Sequence, residues 1–417
     1  MRQWLRLRWS RLLFFLAVMG PGIITGNVDN DANGIATYSI AGASYGYKIL
    51  WTLLLSTFAL VVVQEMVARM GAVTGKGLAA LIRERFRVRL TIFAMFILLL
   101  ANWANTVGDF AGVAGAMEIF GLSRYVSVPL AVLLVLVILL RGSYRSVERV
   151  FLVACLLYIT YVISALFAKP PWLEVIKATL TPSFQFDAPY ITLVIGVVGT
   201  TIAPWMQFYQ QSAVVDKGIS AKELGYTRID TYLGAISTNV VAFFIVVACG
   251  ATLFVHRISI GDAADAAVAL APLAGKYAST LFALGLLNGA LFSVAIIPLS
   301  TAYAVCEAFG WEAGLNRRFR EAPIFVGLYT GLIVASALVI LVPGIPLIPV
   351  MFLSQVLNGI LLPVILIFML LLTNDEQVVG PYRNSLIFNI IAWITVAAMI
   401  VLSILLVITT ALGPGAS

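Results

Sequence analysis

This 417-residue chain has little histidine, little cysteine and few charges. Its single histidine, His256, falls in a short loop outside the apolar runs, so no imidazole is available to titrate near neutral pH where hydrocarbon would surround it. Cys155, Cys249 and Cys306 each fall inside an apolar run, which argues against a disulfide framework or a zinc centre and reads as small packing residues. Charged residues make up 11% of the chain, where an average soluble domain has roughly 25%. What is abundant is apolar: 61% of residues are hydrophobic and the mean hydropathy is +1.02. A soluble enzyme or a nucleic-acid-binding module is thereby excluded, and the chain reads as a polytopic, all-α membrane protein with no separate soluble domain.

Eleven apolar stretches are long enough to span a bilayer, which takes about 17 to 25 residues each. They run from Leu12 to Ala41, Ile49 to Met70, Leu90 to Met117, Ser127 to Leu140, Val147 to Ala168, Tyr190 to Val215, Thr231 to Val255, Leu270 to Glu307, Ala322 to Leu341, Leu347 to Leu372 and Asn384 to Leu412. No A-x-A-like cleavage site follows the basic stretch Met1 to Arg11, so no removed signal peptide is expected. With eleven spans, the loops on the N-terminal side hold 20 of the 26 Lys and Arg residues and the opposite loops hold 6. The positive-inside rule then places the N-terminus in the cytoplasm and the C-terminus outside, and the net charge of +7 becomes a topology signal. The expected location is a cell membrane, in a bacterium.

Two spans are interrupted. The first carries Gly26-Asn27-Val28-Asp29-Asn30-Asp31-Ala32-Asn33-Gly34 at membrane depth, with two carboxylates, three carboxamides and no Lys or Arg beside them. An ionisable group at that depth is a functional site by default, and this one is built to hold a cation. The sixth contains Gly199-Thr200-Thr201-Ile202-Ala203-Pro204-Trp205, where Pro204 removes a helix donor and Gly199 and the threonines loosen the backbone before it. The breaks lie five spans apart. An odd number of spans reverses the direction of entry into the membrane, so the pattern predicts an inverted repeat, about 12–168 and 190–372, with an extra helix at about 384–412 in one transporter domain covering 1–417. Paired interrupted helices mark a transport site near the midplane.

Several segments resemble the NRAMP divalent-metal transporters. They are Gly20-Pro21-Gly22, Asp31 with Ala36-Thr37, Tyr45-Gly46-Tyr47-Lys48 with Leu50-Trp51, Gln64 with Ala68-Arg69 and Val73-Thr74-Gly75-Lys76, and Leu353-Ser354-Gln355-Val356-Leu357 with Leu362-Pro363. The resemblance spans the chain and implies a LeuT-type fold with alternating access, a divalent cation as cargo, a lipid bilayer around it, and neither a cofactor nor an obligatory protein partner. The departures are informative. The family's Asp-Pro-Gly-Asn is here Asp31-Ala32-Asn33-Gly34, and its Met-Pro-His is Ala203-Pro204-Trp205. The Gln before Leu-Pro in the tenth helix becomes Leu361, with Asn358 a turn earlier. Loss of thioether and imidazole removes the ligands that suit transition metals and leaves oxygen donors that suit Mg or Ca. This pattern resembles the NRAMP-related magnesium transporters, a branch that also admits Mn. The third-helix acids of the family correspond to Thr106 and Asp109, and the ninth span holds no charge between Ala322 and Leu341, so the resemblance implies Mg uptake without protons.

Asp31 leads the candidate metal ligands, with a helix-capping role as the bland reading. Asp29 either turns inward or serves an outer vestibule. Asn30, Asn33 and Asn358 are further candidates, with Gln207, Thr201 and Ala203, the last two through backbone carbonyls as for Thr200. Asp109, Thr106, Trp205 and Tyr209 are expected along the permeation path, Trp205 more as packing than as a ligand wall. Glu65 is expected to pair with Arg69 one turn on. An amino-acid carrier would find its carboxylate repelled by Asp31, an intramembrane aspartyl protease lacks the first Gly of its motif at Thr106-Val107-Gly108-Asp109, and a channel would need a pore loop. A proton-coupled Mn/Fe importer is the nearest alternative.

Overall fold

A computed structural model describes residues 20–140, 155–313 and 320–412, and within them the chain is helical, with no strand. The first crossing is broken into α1 (Pro21–Asp29) and α2 (Ala32–Tyr45), and α3 (Leu50–Thr74) returns across the membrane. A short α4 (Leu78–Arg85) leads to the long α5 (Val88–Ile119) and α6 (Arg124–Leu140). After α7 (Ile159–Phe167) and α8 (Trp172–Leu180) comes the second broken crossing, α9 (Ala188–Thr201) and α10 (Pro204–Asp216). The remaining crossings are α11 (Leu224–Cys249), α12 (Ala278–Phe309), α13 (Pro323–Ile340), α14 (Leu347–Thr373) and α15 (Leu386–Leu412).

Among the described residues, eight helical stretches are long and apolar enough to cross a membrane, or nine if the bent pair made by α7 and α8 is one. The eleven expected segments map onto these with identifiable differences. The continuous stretch Ala32–Thr74 is 43 residues long, about 65 Å at 1.5 Å per residue and roughly twice a hydrocarbon core, so it holds two crossings. Gly46, at φ 57, turns the chain between them, a conformation that only glycine adopts without strain. The fourth segment is a shorter apolar helix, and part of the first and of the fifth lies outside the described residues.

The core forms where small residues let helices close on one another. The α1 backbone meets α11 so closely that a Cβ on Gly234 would lie 2.1 Å from the Gly22 carbonyl oxygen. Asp230 of α11, buried at this crossing, accepts from the Gly20 and Gly22 amides at 3.0 and 2.7 Å, which satisfies the free donors at the start of α1. Helix α12 runs along α5, α14 packs on α5 and α9, and α11 backs α1, α2 and α3. At the outer surface the pattern inverts, with Leu386 76% and Val407 69% exposed on α15, a face that only lipid covers at no cost.

Side-chain pairs join several of the loops that the charge count assigned to the same face. Glu65 pairs with Arg69 at 3.0 Å, as expected, and also with Arg228 at 2.8 Å. Arg69 reaches the Tyr382 carbonyl and Asn384, and Arg85 pairs with Asp375, all within the basic loops. Arg124 pairs with Glu118 at 2.9 Å and donates to the Ile345 carbonyl among the opposite loops. Cys249 and Cys306 are buried free thiols and His256 lies exposed, as their sequence positions suggested.

Candidate functional site

The break in the first crossing is shorter than its polar sequence suggested. Gly26 to Asp29 stay helical, and only Asn30 and Asp31 leave the helix. Asp31 is extended, at φ −69 and ψ −177, and its Oδ1 accepts from the Gly34 amide at 2.7 Å, capping α2. Its Oδ2 faces the bundle, where it accepts from Asn33 at 3.3 Å, Ser293 of α12 at 3.4 Å and Asn105 of α5 at 3.5 Å. The capping and site readings of Asp31 therefore hold together, one on each oxygen.

Asp109 joins the same cluster. Asn33 donates to its Oδ1 at 2.9 Å and Ser293 donates a short bond to its Oδ2, so two side chains bridge both carboxylates. The amide groups around them are oriented alike: Asn358 and Gln355 of α14 donate to the Asn105 oxygen, and Asn105 donates toward Asp31. The Asn33 and Asn358 side-chain oxygens are left buried without a hydrogen-bond partner. A buried acceptor left unmet costs about 1 to 3 kcal/mol. Asp31 is 3% exposed and Asp109 fully buried, and the ion pairs among the described residues lie elsewhere. Two carboxylates this close are held together by a cation or a proton, and carboxylate with amide oxygen is the donor set of a hard cation. Among the described residues no group of three or more His, Cys, Asp or Glu is placed to hold a metal, so a cation at this cluster would have to draw on amide oxygens as well.

Other expected residues turn elsewhere. Asp29 and Asn30 point to α11, where Asp29, buried, accepts from Thr238 at 3.4 Å and Asn30 donates to the Thr238 carbonyl at 3.5 Å. In the sixth crossing Gly199, Thr200 and Thr201 remain helical, and only Ile202 and Ala203 break it, with Pro204 starting α10. The reason is packing: a Cβ on Gly199 would lie 2.1 Å from the Gln355 carbonyl oxygen, so this glycine serves close approach to α14. The Thr201 hydroxyl bonds Tyr38 at 2.9 Å. The Ala203 carbonyl accepts from Gln207 at 3.2 Å, and Gln207 accepts from Gln64 at 3.0 Å. Trp205 is buried 6.0 Å from the Tyr209 ring, in keeping with packing, and Thr106 bonds its own helix at the Asn102 carbonyl.

Sequence reasoning missed Asn105, Ser293 and Gln355 as members of the cluster. The signal was present in part: Asn102, Asn105 and Asp109 recur at i, i+3 and i+7 in an apolar span, which places all three on one face of α5. Above the cluster a cavity of about 310 Å³ opens between α5, α14 and the loop after α11, lined by Glu118, Arg124, Asp262, Leu347 and Met351. Met351 of this wall also packs near Ala32, since a Cβ on Gly112 would lie 2.2 Å from the Ala32 Cβ and 3.6 Å from the Met351 sulfur.

The chain matches the family model described as natural resistance-associated macrophage protein-like over residues 22–409. It is 26% identical over 414 residues to the divalent metal cation transporter MntH of Verminephrobacter eiseniae, covering 95% of this chain and 90% of that protein. To MntH of Bacillus subtilis it is 24% identical over 408 residues, covering 95% and 92%. Among solved structures, the Eremococcus coleocola manganese transporter superposes with a TM-score of 0.75 at 21% identity, covering 98% of this chain and 90% of that one. The nucleobase-cation-symport-1 family transporter Mhp1 superposes with a TM-score of 0.60 at 15% identity, covering 94% and 91%. The fold is thus of the LeuT type, and the chain belongs to the Nramp family of multi-pass membrane transporters, which are not enzymes.

Proposed function

We propose that this chain carries divalent cations, Mg first and Mn also, across the cell membrane by alternating access, without moving protons. The observation that carries the reading is the closed set of oxygen donors around Asp31 and Asp109, with the Asn33 and Asn358 oxygens buried and unmet. Mg is small, dehydrates reluctantly and binds through one or two carboxylates while keeping waters. Ala203, in place of a thioether, leaves space for such an ion and denies Mn or Fe a soft ligand. In this reading Asp31, Asp109, Asn33 and Asn358 form the central site. Asp29, Asn30, Thr201, Ala203 and Gln207 flank it at the two breaks, and Trp205, Tyr209 and Thr106 border the path. The face of Arg69, Lys76 and Arg228 is cytoplasmic, and the two five-helix repeats, about 12–168 and 190–372, rock around the site in one domain.

A second reading, proton-coupled Mn/Fe import, draws on one observation: Asp109 shares both bridging donors with Asp31, so the pair is arranged to hold a proton when no metal is bound. Influx into proteoliposomes loaded with a pH dye separates the two. Saturable Mg influx without acidification supports the first reading, and Mn influx with acidification supports the second.

A further inference from the structure

From the central cluster, a second polar row descends one face of α12. Ser293, Ser300 and Glu307 are spaced seven residues apart, so they project from nearly the same side at intervals of about 10 Å. Each meets polar groups from neighbouring helices. Ser293 bridges the two carboxylates, Ser300 donates to the Trp205 carbonyl at 3.3 Å, and Thr301 beside it accepts from Asn102 at 2.7 Å. Glu307 ends the row where α10 and the loop before α4 close over α12.

The seat of Glu307 is incomplete in a specific way. Its Oε1 accepts from Ser212 of α10 at 3.0 Å, while its Oε2 is buried without a hydrogen-bond partner and lies 1.9 Å from where a Gly77 Cβ would stand. Gln211, fully buried, donates to the adjoining Lys76 carbonyl at 2.8 Å and leaves its own Oε1 buried and unmet. Asp216 follows Ser212 one turn along α10. The nearest lysine on the loop is engaged elsewhere, since the Lys76 ammonium pairs with Glu84 at 2.7 Å. Two unmet buried oxygens at one peptide and the Ser212 hydroxyl, with the exposed Asp216 carboxylate one turn further along α10, offer oxygen donors to a hard divalent cation.

We propose that Glu307, with Gln211, Ser212 and Asp216, is a second cation station at the mouth of the pathway on the face of the basic loops, where the ion pauses between the central site and water. This inference rests on the reading of the chain as a divalent-cation carrier. A station there lowers the cost of moving an ion through a tight, buried passage, because binding at each stop is favourable yet weak enough for the ion to leave.

The test is Mn2+ titration of the purified full-length protein, read by electron paramagnetic resonance, on wild type, Asp31→Ala, Glu307→Gln and Gly77→Ala. The expected wild type binds two ions, one tight and one weak. Glu307→Gln, and Gly77→Ala through displacement of the Glu307 carboxylate, each keep the tight ion and weaken the other at least tenfold. Retention of the tight ion certifies that these variants fold. In liposomes Glu307→Gln lowers the maximal Mn2+ influx about tenfold while the half-saturating concentration stays within twofold. A wild type that binds one ion, or a weak ion that survives both variants, overturns the station. Asp31→Ala reports separately on the central site, because failure of that reading shows as an unchanged tight ion in this variant alone.

Discussion

Asn33 links the polar cluster, since its side-chain amide lies within hydrogen-bond distance of Asp31, Asp109 and the Asn105 carbonyl, closest to the last two. Hydrogen bonds to charged groups contribute about 1.5 to 3 kcal/mol, so Asn33→Ala should weaken cation uptake roughly ten- to hundredfold, read as a raised half-saturating concentration in liposomes. Unchanged uptake would remove Asn33 from the site. Ala203→Met tests the ion preference: restoring a thioether at the second break should raise the ratio of Mn to Mg influx several-fold. At this scale the sequence was legible where chemistry is local. Asp31 stood out because a carboxylate at membrane depth is costly to keep unless it binds something, and the pairing of Glu65 with Arg69 follows from one helical turn. Asn105 was legible only in part and Ser293 not at all, because a polar residue in an apolar span joins such a cluster only when tertiary packing turns it inward. Asp29 shows the converse, since two residues of offset direct its carboxylate to α11.

The breaks set where helices end, and glycines set how closely they pack. Gly199 was expected to loosen α9, yet the helix runs through Thr201 because the residue is needed for contact with α14. Composition alone does not separate a glycine that breaks a helix from one that admits a neighbour. Gly199→Ala should therefore be strongly destabilising, as the Cβ meets the backbone of Gln355 and Gly359, which cannot yield as a side chain would. Gly327→Ala on α13, where nothing lies within 4 Å, should be neutral or stabilising by up to about 1 kcal/mol, the helix-propensity gain over glycine. Thermal unfolding of the two variants in one detergent checks the contrast. Equal losses would mean that close packing of α9 on α14 does not decide stability.

For the whole molecule, Ala32, Gly112 and Met351 pack together next to the polar cluster, and the Glu65, Arg69 and Arg228 network ties α3, α11 and the segment before α15 together on the face of the basic loops. Arg69 is buried against Glu65, which keeps Arg228 as a second partner, so losing Arg69 costs less than the about 3 to 5 kcal/mol of a buried charge left wholly unpaired. Arg69→Ala should lower the thermal midpoint and also slow uptake. A normal midpoint with normal uptake would show the network to be idle. The broad architecture was readable from hydropathy because a bilayer restricts the chain to helices of fixed length. The number of separate helices was not, since turns such as Gly46 join two crossings into one continuous stretch. The central claim is tested most directly by Mg influx into liposomes carrying an internal Mg reporter and a pH dye, comparing wild type with Asp31→Ala. The expected result is saturable Mg influx without acidification that Asp31→Ala abolishes; Mn-only influx accompanied by acidification would contradict it.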